Sequence, residues 1–280
     1  MTHTLKSWLI TGASGGFGRA LTEQLLARGD RVTATLRRTG ALDDLAAHGR
    51  LRVLHLDLLD AASIRGAVGA AFGAGRIDVV VGNAGYGLFG AAEELGDAAI
   101  DRQVATNLTG AMHLIRASLP HLRTQGGGRF VQISSEGGQT AYPGFSAYHA
   151  TKWGIEGFVE AVAQEVAPFG IEMMLVEPGP TATNFGAGLD RAVPMPVYEG
   201  TAAGAVRRAI AEGSFALSAD LGRSVAAIVA AADAPAMPRR LALGSTAWGN
   251  IRGALTSRLA ELEGQRAVAF AADVLGTLPG

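Results

Sequence analysis

Short apolar runs alternate with helix-period stretches along most of this chain. Trp8, Leu9 and Ile10 are consecutive apolar residues and predict a buried strand. Phe17, Leu21 and Leu25 then recur every four residues, as on one face of a helix. Runs rich in Val, Ile and Leu predict further strands over 32–36, 51–56, 77–81, 129–134 and 171–176. Between them, helical patterns cover 61–72, a long region 97–124, and 148–168. From 178 to about 215 the alternation stops. Pro178, Pro180, Pro194, Pro196, Gly179, Gly186 and Gly188 punctuate it, and a long irregular insertion of this kind predicts a lid at about 180–216. A helix near 219–232, a short strand near 241–243 and a helix near 251–263 follow.

Apolar strands separated by helices predict an α/β fold. Its expected form is a doubly wound parallel sheet of the Rossmann type, with about seven strands and helices on both faces. Ligands of such folds bind beyond the carboxyl ends of the strands. With 280 residues, 48% of them hydrophobic, one domain spanning 1–280 is expected. A net charge of −1 without long charge runs gives no footprint for nucleic acid or a membrane surface. There is no cysteine, which excludes disulfides, thiolate metal sites and cysteine nucleophiles. The histidines at 3, 48, 55, 113, 121 and 149 show no ligand spacing, so no metal is expected. No apolar run approaches the ~20 residues of a membrane span, and the N-terminal stretch is too short for a signal peptide. A cytoplasmic protein is the expectation.

Candidate chemistry begins at the end of the first strand. Thr11-Gly12-Ala13-Ser14-Gly15-Gly16-Phe17-Gly18 joins that strand to the first helix. Glycines allow a tight turn and close ligand approach, and the helix N-terminus offers free N–H groups to a pyrophosphate. In this context Gly12, Ser14, Gly15, Phe17 and Gly18 are candidate dinucleotide contacts. The same stretch also fits the G-x-S-x-G elbow of α/β-hydrolases, with Ser14 as nucleophile. Against that rival, no histidine follows His149.

The second strand ends at Leu36, followed by Arg37 and Arg38. A carboxylate there would hold the ribose 2′-OH of NAD. None is present, and Arg37 offers a fork suited to a 2′-phosphate, so NADP(H) is the expected cofactor. The competing reading is two solvated surface arginines. Asp57 and Leu58 end the third strand, where an adenine edge could be held.

Tyr148 and Lys152 stand four apart, on one face of a predicted helix. With four tyrosines and two lysines in the chain, chance supplies ~0.03 such pairs. Lysine is conspicuous because every other basic position carries arginine, apart from Lys6. A neighbouring ammonium lowers a phenol's pKa, which makes tyrosine usable in acid–base catalysis. Ser134 or Ser135, at the end of the fifth strand, could hold a substrate oxygen.

These residues together resemble the short-chain dehydrogenase/reductase family, from about residue 5 to 185 and more weakly beyond. Thr11–Gly18 corresponds to its TGxxxGxG motif, Gly82-Asn83-Ala84-Gly85 to its NNAG motif and Tyr148–Lys152 to its YxxxK motif. Pro178-Gly179 corresponds to its PG motif. The stretches 83–90 and 177–180 are most similar to the branch with 17β-hydroxysteroid and retinol dehydrogenases. The resemblance implies hydride transfer between a carbonyl compound and an alcohol, with Tyr148 as general acid or base. It implies that Lys152 holds the nicotinamide ribose, that Ser135 (13 residues before Tyr148) polarises the carbonyl, and that Asn107 positions a water. Asn83, Ala84 and Gly85 would support the adenosine side, and Pro178, Gly179, Thr181 and Thr183 the nicotinamide end or phosphates. Gly82, where Asn is common, is expected to loosen its turn. A homodimer or homotetramer is also implied. His149 is expected to face away from the site. Tyr142, Phe145, Phe185, Leu189, Met195 and Tyr198 either line an apolar substrate pocket or pack the loops. The rival to catalysis is a non-catalytic NADP-binding sensor or scaffold.

Overall fold

The computed structural model describes residues 4–38, 40–183, 185–214 and 217–273. Asn184, Phe215 and Ala216 of the expected lid, and His3, lie outside them. The chain runs β1 (Ser7–Thr11), α1 (Gly16–Arg28), β2 (Arg31–Leu36), β3 (Leu51–His55), α2 (Ala61–Gly73), β4 (Val79–Gly82), β5 (Leu88–Phe89) and α3 (Asp97–Val104). It continues through α4 (Ala111–Thr124), β6 (Gly128–Ile133), α5 (Ser146–Val166), β7 (Ile171–Pro178), β8 (Asp190–Arg191) and α6 (Ala202–Ala211). The described part ends with α7 (Leu221–Asp233), β9 (Arg240–Leu243), α8 (Ser245–Gly264) and α9 (Arg266–Ala271).

Seven strands form one parallel sheet in the order β3-β2-β1-β4-β6-β7-β9. The order reverses beside β1, and this places the ligand crevice at the ends of β1 and β4. Side chains alternate across the sheet. Trp8, Ile10, Val79 and Val81 pack with Leu21 and Leu25 of α1 and with Val225 and Ile228 of α7. Leu9, Val80 and Phe130 pack on the other face, with Ile64 of α2, Leu114 of α4 and Ile155 of α5. Both faces are covered, which is why the strands read as continuous apolar runs. No helix of the described residues is long and apolar enough to cross a membrane.

The helical region 97–124 is interrupted. A π-helical segment, Ala105–Gly110, separates α3 from α4 and carries Asn107. It turns Asn107 inward onto the Tyr86 backbone, and it seats Gly110 where a Cβ would fall 2.6 Å from the Leu58 carbonyl oxygen. The 178–215 insertion is more regular than its prolines predict. Its β8 pairs with β5, and Ala202–Ala211 forms α6 from residues of high helix propensity. The last long helix begins at Ser245, ahead of the predicted 251, because Gly244 at φ 96° turns the chain out of β9.

Candidate active site

The glycine-rich turn is tied to β4 from inside the protein. Thr11 Oγ1 donates to the Val81 carbonyl and accepts from the N–H groups of Asn83 and Ala84, at 2.9 and 3.2 Å. Asn83 Nδ2 donates to the carbonyls of Thr11 (2.9 Å) and Gly12 (3.1 Å). Asn83 thus shapes the glycine-rich turn. Gly12 sits at φ 67°, and a Cβ there would lie 2.7 Å from Ala84 Cα. Gly85 packs on Asn107. At Gly18 a Cβ would lie 2.4 Å from the Gly12 carbonyl oxygen. Gly15 has open space instead, and it begins α1 without a side-chain cap. The first N–H groups of α1 are therefore free to meet an anion. Ser14 is exposed at the turn and Phe17 packs against the core. Ser14 hydrogen-bonds to no histidine among the described residues, so the hydrolase elbow lacks its base.

Gly82 does not loosen its turn. Gln132 fills the space a side chain would take, 2.5 Å from where a Cβ would be, and donates to the Gly82 carbonyl. Beside the turn, Ala13 N–H bonds to the Thr35 carbonyl, which brings the end of β2 close. Arg37 and Arg38 follow there, exposed and, among the described residues, without a hydrogen bond or ion pair. Asp57 caps a turn, accepting from Leu59 N–H at 3.0 Å. Leu58 is buried in the core, so of this pair Asp57 lies nearer the rim. On the opposite wall Gly179 packs on Ala247, and Thr181 donates to the Gly179 carbonyl. Thr183 comes within van der Waals reach of Gly16. The two ends of the crevice thus meet at the glycine turn.

Tyr148 and Lys152 are both buried on α5. Lys152 Nζ lies 5.6 Å from the Tyr148 ring centroid and donates to the Ile133 carbonyl at 3.1 Å. Ser135 is extended after β6. Its Oγ accepts from Gly137 N–H at 3.0 Å, and the hydroxyl stands near enough to the Tyr148 phenol to favour its ionised form. Ser134 points away and donates to Glu156 at 2.6 Å. The structure therefore brings Ser135, and not Ser134, to Tyr148. Asn107 Oδ1 accepts from Tyr86 N–H and its Nδ2 donates to the Tyr86 carbonyl, leaving one N–H and one lone pair for a water.

The electrostatics differ from the sequence expectation in one respect. Burial pushes Tyr148 up to about 12, the nearby Ser135 hydroxyl opposes this, and the charges of Glu136 and Glu156 add to the rise. Lys152 does not reverse this, because its ammonium is held at the Ile133 carbonyl and not at the phenol oxygen. Burial pushes Lys152 itself down to about 8, while Glu156, one turn along α5, supports the ammonium.

Behind this face Arg240 bonds to three carboxylates, those of Glu156, Glu160 and Glu177. One guanidinium shared three ways under-compensates Glu177. Burial, with repulsion from Glu156, pushes it up to about 7 from the ordinary 4.5. The unfolded chain therefore ionises first, and folded stability is lost as pH rises from about 4.5 through about 7. Glu177→Gln is expected to gain on the natural protein in Tm as pH goes from 5 to 8. The gain is on the order of 1–3 kcal/mol, which corresponds to about 2–4 °C per kcal/mol. Thermal unfolding at the two pH values measures it, and an unchanged Tm difference would refute it.

Several residues around the site were missed in sequence. His149 does not face away; it is buried against the loop that carries Ser135. Glu136 is buried and accepts from Asn250 of α8 at 3.0 Å. Glu156 extends the Tyr148–Lys152 spacing by one more turn, a signal present in the sequence. Asn250 had no such signal. Of the apolar pocket candidates, Phe145 and Phe185 have ring centroids 6.1 and 5.6 Å from that of Tyr148, and Leu189 packs at Gly87. Tyr142 stacks edge-on with His149. Met195 and Tyr198 instead fasten the insertion to Glu94 and Glu93. No metal-holding group of three acidic or histidine side chains occurs among the described residues.

Known proteins resemble this chain in sequence and in fold. Residues 6–193 match the family described as short chain dehydrogenase, and the chain belongs to that family of oxidoreductases. Oxidoreductase BOA17 of Botryotinia fuckeliana (strain B05.10) is 42% identical over 193 residues, covering 68% of this chain and 70% of that protein. Retinol dehydrogenase 8 of Homo sapiens is 37% identical over 210 residues, 72% of this chain and 67% of that one. The crystal structure of a short-chain dehydrogenase from Streptomyces avermitilis superposes with a TM-score of 0.89 at 41% identity, over 98% of this chain and 100% of that one.

Proposed function

We propose that this protein is an NADP(H)-dependent reductase of a ketone or aldehyde, acting on a hydrophobic substrate. The observation that carries the reading is a buried Tyr148 with the Ser135 hydroxyl nearby and Lys152 Nζ 5.6 Å from its ring centroid. The residues fit the cofactor: the open, uncapped start of α1 would take the pyrophosphate, and the unpaired Arg37 the 2′-phosphate. Lys152 and Thr183 border the nicotinamide side.

Bound NADPH would supply the hydride, with its two electrons, for the new C–H bond, and would itself be oxidised to NADP⁺. Ser135 Oγ is fixed as an acceptor by Gly137 N–H, and its own hydrogen would donate to the substrate oxygen. Tyr148 holds its proton throughout the neutral range and gives it to that oxygen as charge develops there. Solvent then reprotonates the phenol. Phe145 and Phe185 offer apolar faces beside the reacting hydroxyl, which suits a hydrophobic substrate.

Fluorescence titrations with NADPH and NADH, followed by a panel of apolar ketones and aldehydes, test the proposal. Tighter NADPH binding and NADPH oxidation are expected. Equal affinity for NADH would reject the cofactor assignment, and no turnover across the panel would reject the reductase. Lys152 loses its charge near pH 8, so kcat/KM should fall above that pH. Glu156→Gln removes the charge that supports the ammonium and is expected to move this fall to lower pH. An unmoved pH profile would show that Glu156 does not act on Lys152.

A further inference from the structure

Ser135 can polarise a carbonyl only if the loop that carries it holds its place against α5. That loop begins where β6 ends and passes through a single 3-10 turn, Glu136–Gly138. Ser134 N–H still bonds to the Val176 carbonyl of β7, but beyond it residues 135–142 make only local turn bonds between backbone groups among the described residues, so side chains must fix them. His149 is buried between this loop and α5 and makes two bonds to it. Tyr142 N–H can only donate, so Nε2 is the acceptor of that 2.9 Å bond. The proton therefore sits on Nδ1, which donates to the Gly137 carbonyl at 2.8 Å. Burial holds the imidazole below its ordinary pKa, against the pull of that carbonyl, and so keeps it neutral.

The same Gly137 bonds to both partners. Its carbonyl takes the imidazole proton, and its N–H fixes Ser135 Oγ at 3.0 Å. Contact is so close that a Cβ at Gly137 would lie 2.7 Å from His149 Nδ1. His149 also follows Tyr148 directly in α5, so one helical turn holds both the phenol and the clamp on the serine loop.

We propose that His149 is a positioning residue that sets Ser135 against Tyr148 by clamping Gly137 and Tyr142 through its two ring nitrogens. This rests on the proposed reading of Ser135 and Tyr148 as the reacting pair. The imidazole touches neither substrate nor reacting atoms; its effect passes through the Gly137 backbone.

The test uses the full-length protein with His149→Ala, His149→Asn and His149→Gln, each with NADPH and a carbonyl compound that the natural protein reduces. His149→Ala is expected to lower kcat by about 100-fold, the scale of an ångström-sized misplacement. NADPH affinity should be unchanged, and KM should change less than kcat. His149→Asn, which can restore a donor to Gly137, should recover part of the loss. Amide hydrogen exchange over residues 135–142 should accelerate in His149→Ala while β6 and α5 stay protected. If the alanine variant does not fold, the asparagine and glutamine variants carry the same comparison. A folded variant lacking the clamp that keeps its kcat would overturn the proposal. If the natural protein reduces no carbonyl compound, the functional reading fails, and exchange alone decides the clamp: unchanged protection of 135–142 overturns it.

Discussion

Tyr148→Phe is expected to lower turnover by roughly 10²–10⁴-fold, the usual contribution of a positioned general acid. The phenylalanine ring can keep the packing against Phe145 and Phe185 and the position under the Lys152 ammonium. What disappears is the hydroxyl beside Ser135, with its proton. NADPH binding should survive, since the glycine turn and Arg37 are untouched. Steady-state rates beside a fluorescence titration separate the two effects. A variant that keeps more than about a tenth of the turnover would remove Tyr148 from the acid role.

The second large effect concerns cofactor choice. Arg37→Glu should weaken NADPH binding by roughly 10–150-fold, the worth of a hydrogen bond to a charged group, about 1.5–3 kcal/mol. The new carboxylate would also repel a 2′-phosphate and could accept from the 2′-OH of NADH, so the preference should swing toward NADH. Arg37 is exposed, so the effect should shrink as salt is added. Titrations with both nucleotides at two ionic strengths measure this. Arg38→Glu is the control and should do less. If both variants behave alike, general surface charge and not the Arg37 fork sets the affinity.

The sheet was legible because its strands are buried on both faces. Val79, Val80 and Val81 are each fully buried, so the run needs no polar alternation and stands out in the sequence. The glycine turn was legible because its constraints are local. The positive φ of Gly12 follows from the turn itself, and the i, i+4 spacing of Tyr148 and Lys152 from the helix. The break at Asn107 was not legible. Its π-helical segment follows from contacts with Tyr86 and Leu58, which are distant in sequence.

The sequence by itself determined the α/β class, the glycine-rich strand–turn–helix at the head of the fold, and the placing of Tyr148 and Lys152 on one helix face. These depend on neighbours within a few positions, where spacing dictates geometry. The family spacing already pointed to Ser135; only the tertiary structure decided that Ser134 turns away to Glu156, that His149 turns inward, and that Asn250 reaches Glu136 across 114 positions. It alone also set the balance of charge at Tyr148 and Lys152. Burial is a property of the packed whole, and here it outweighs the nearby charge that the Tyr–Lys spacing predicted would govern the phenol.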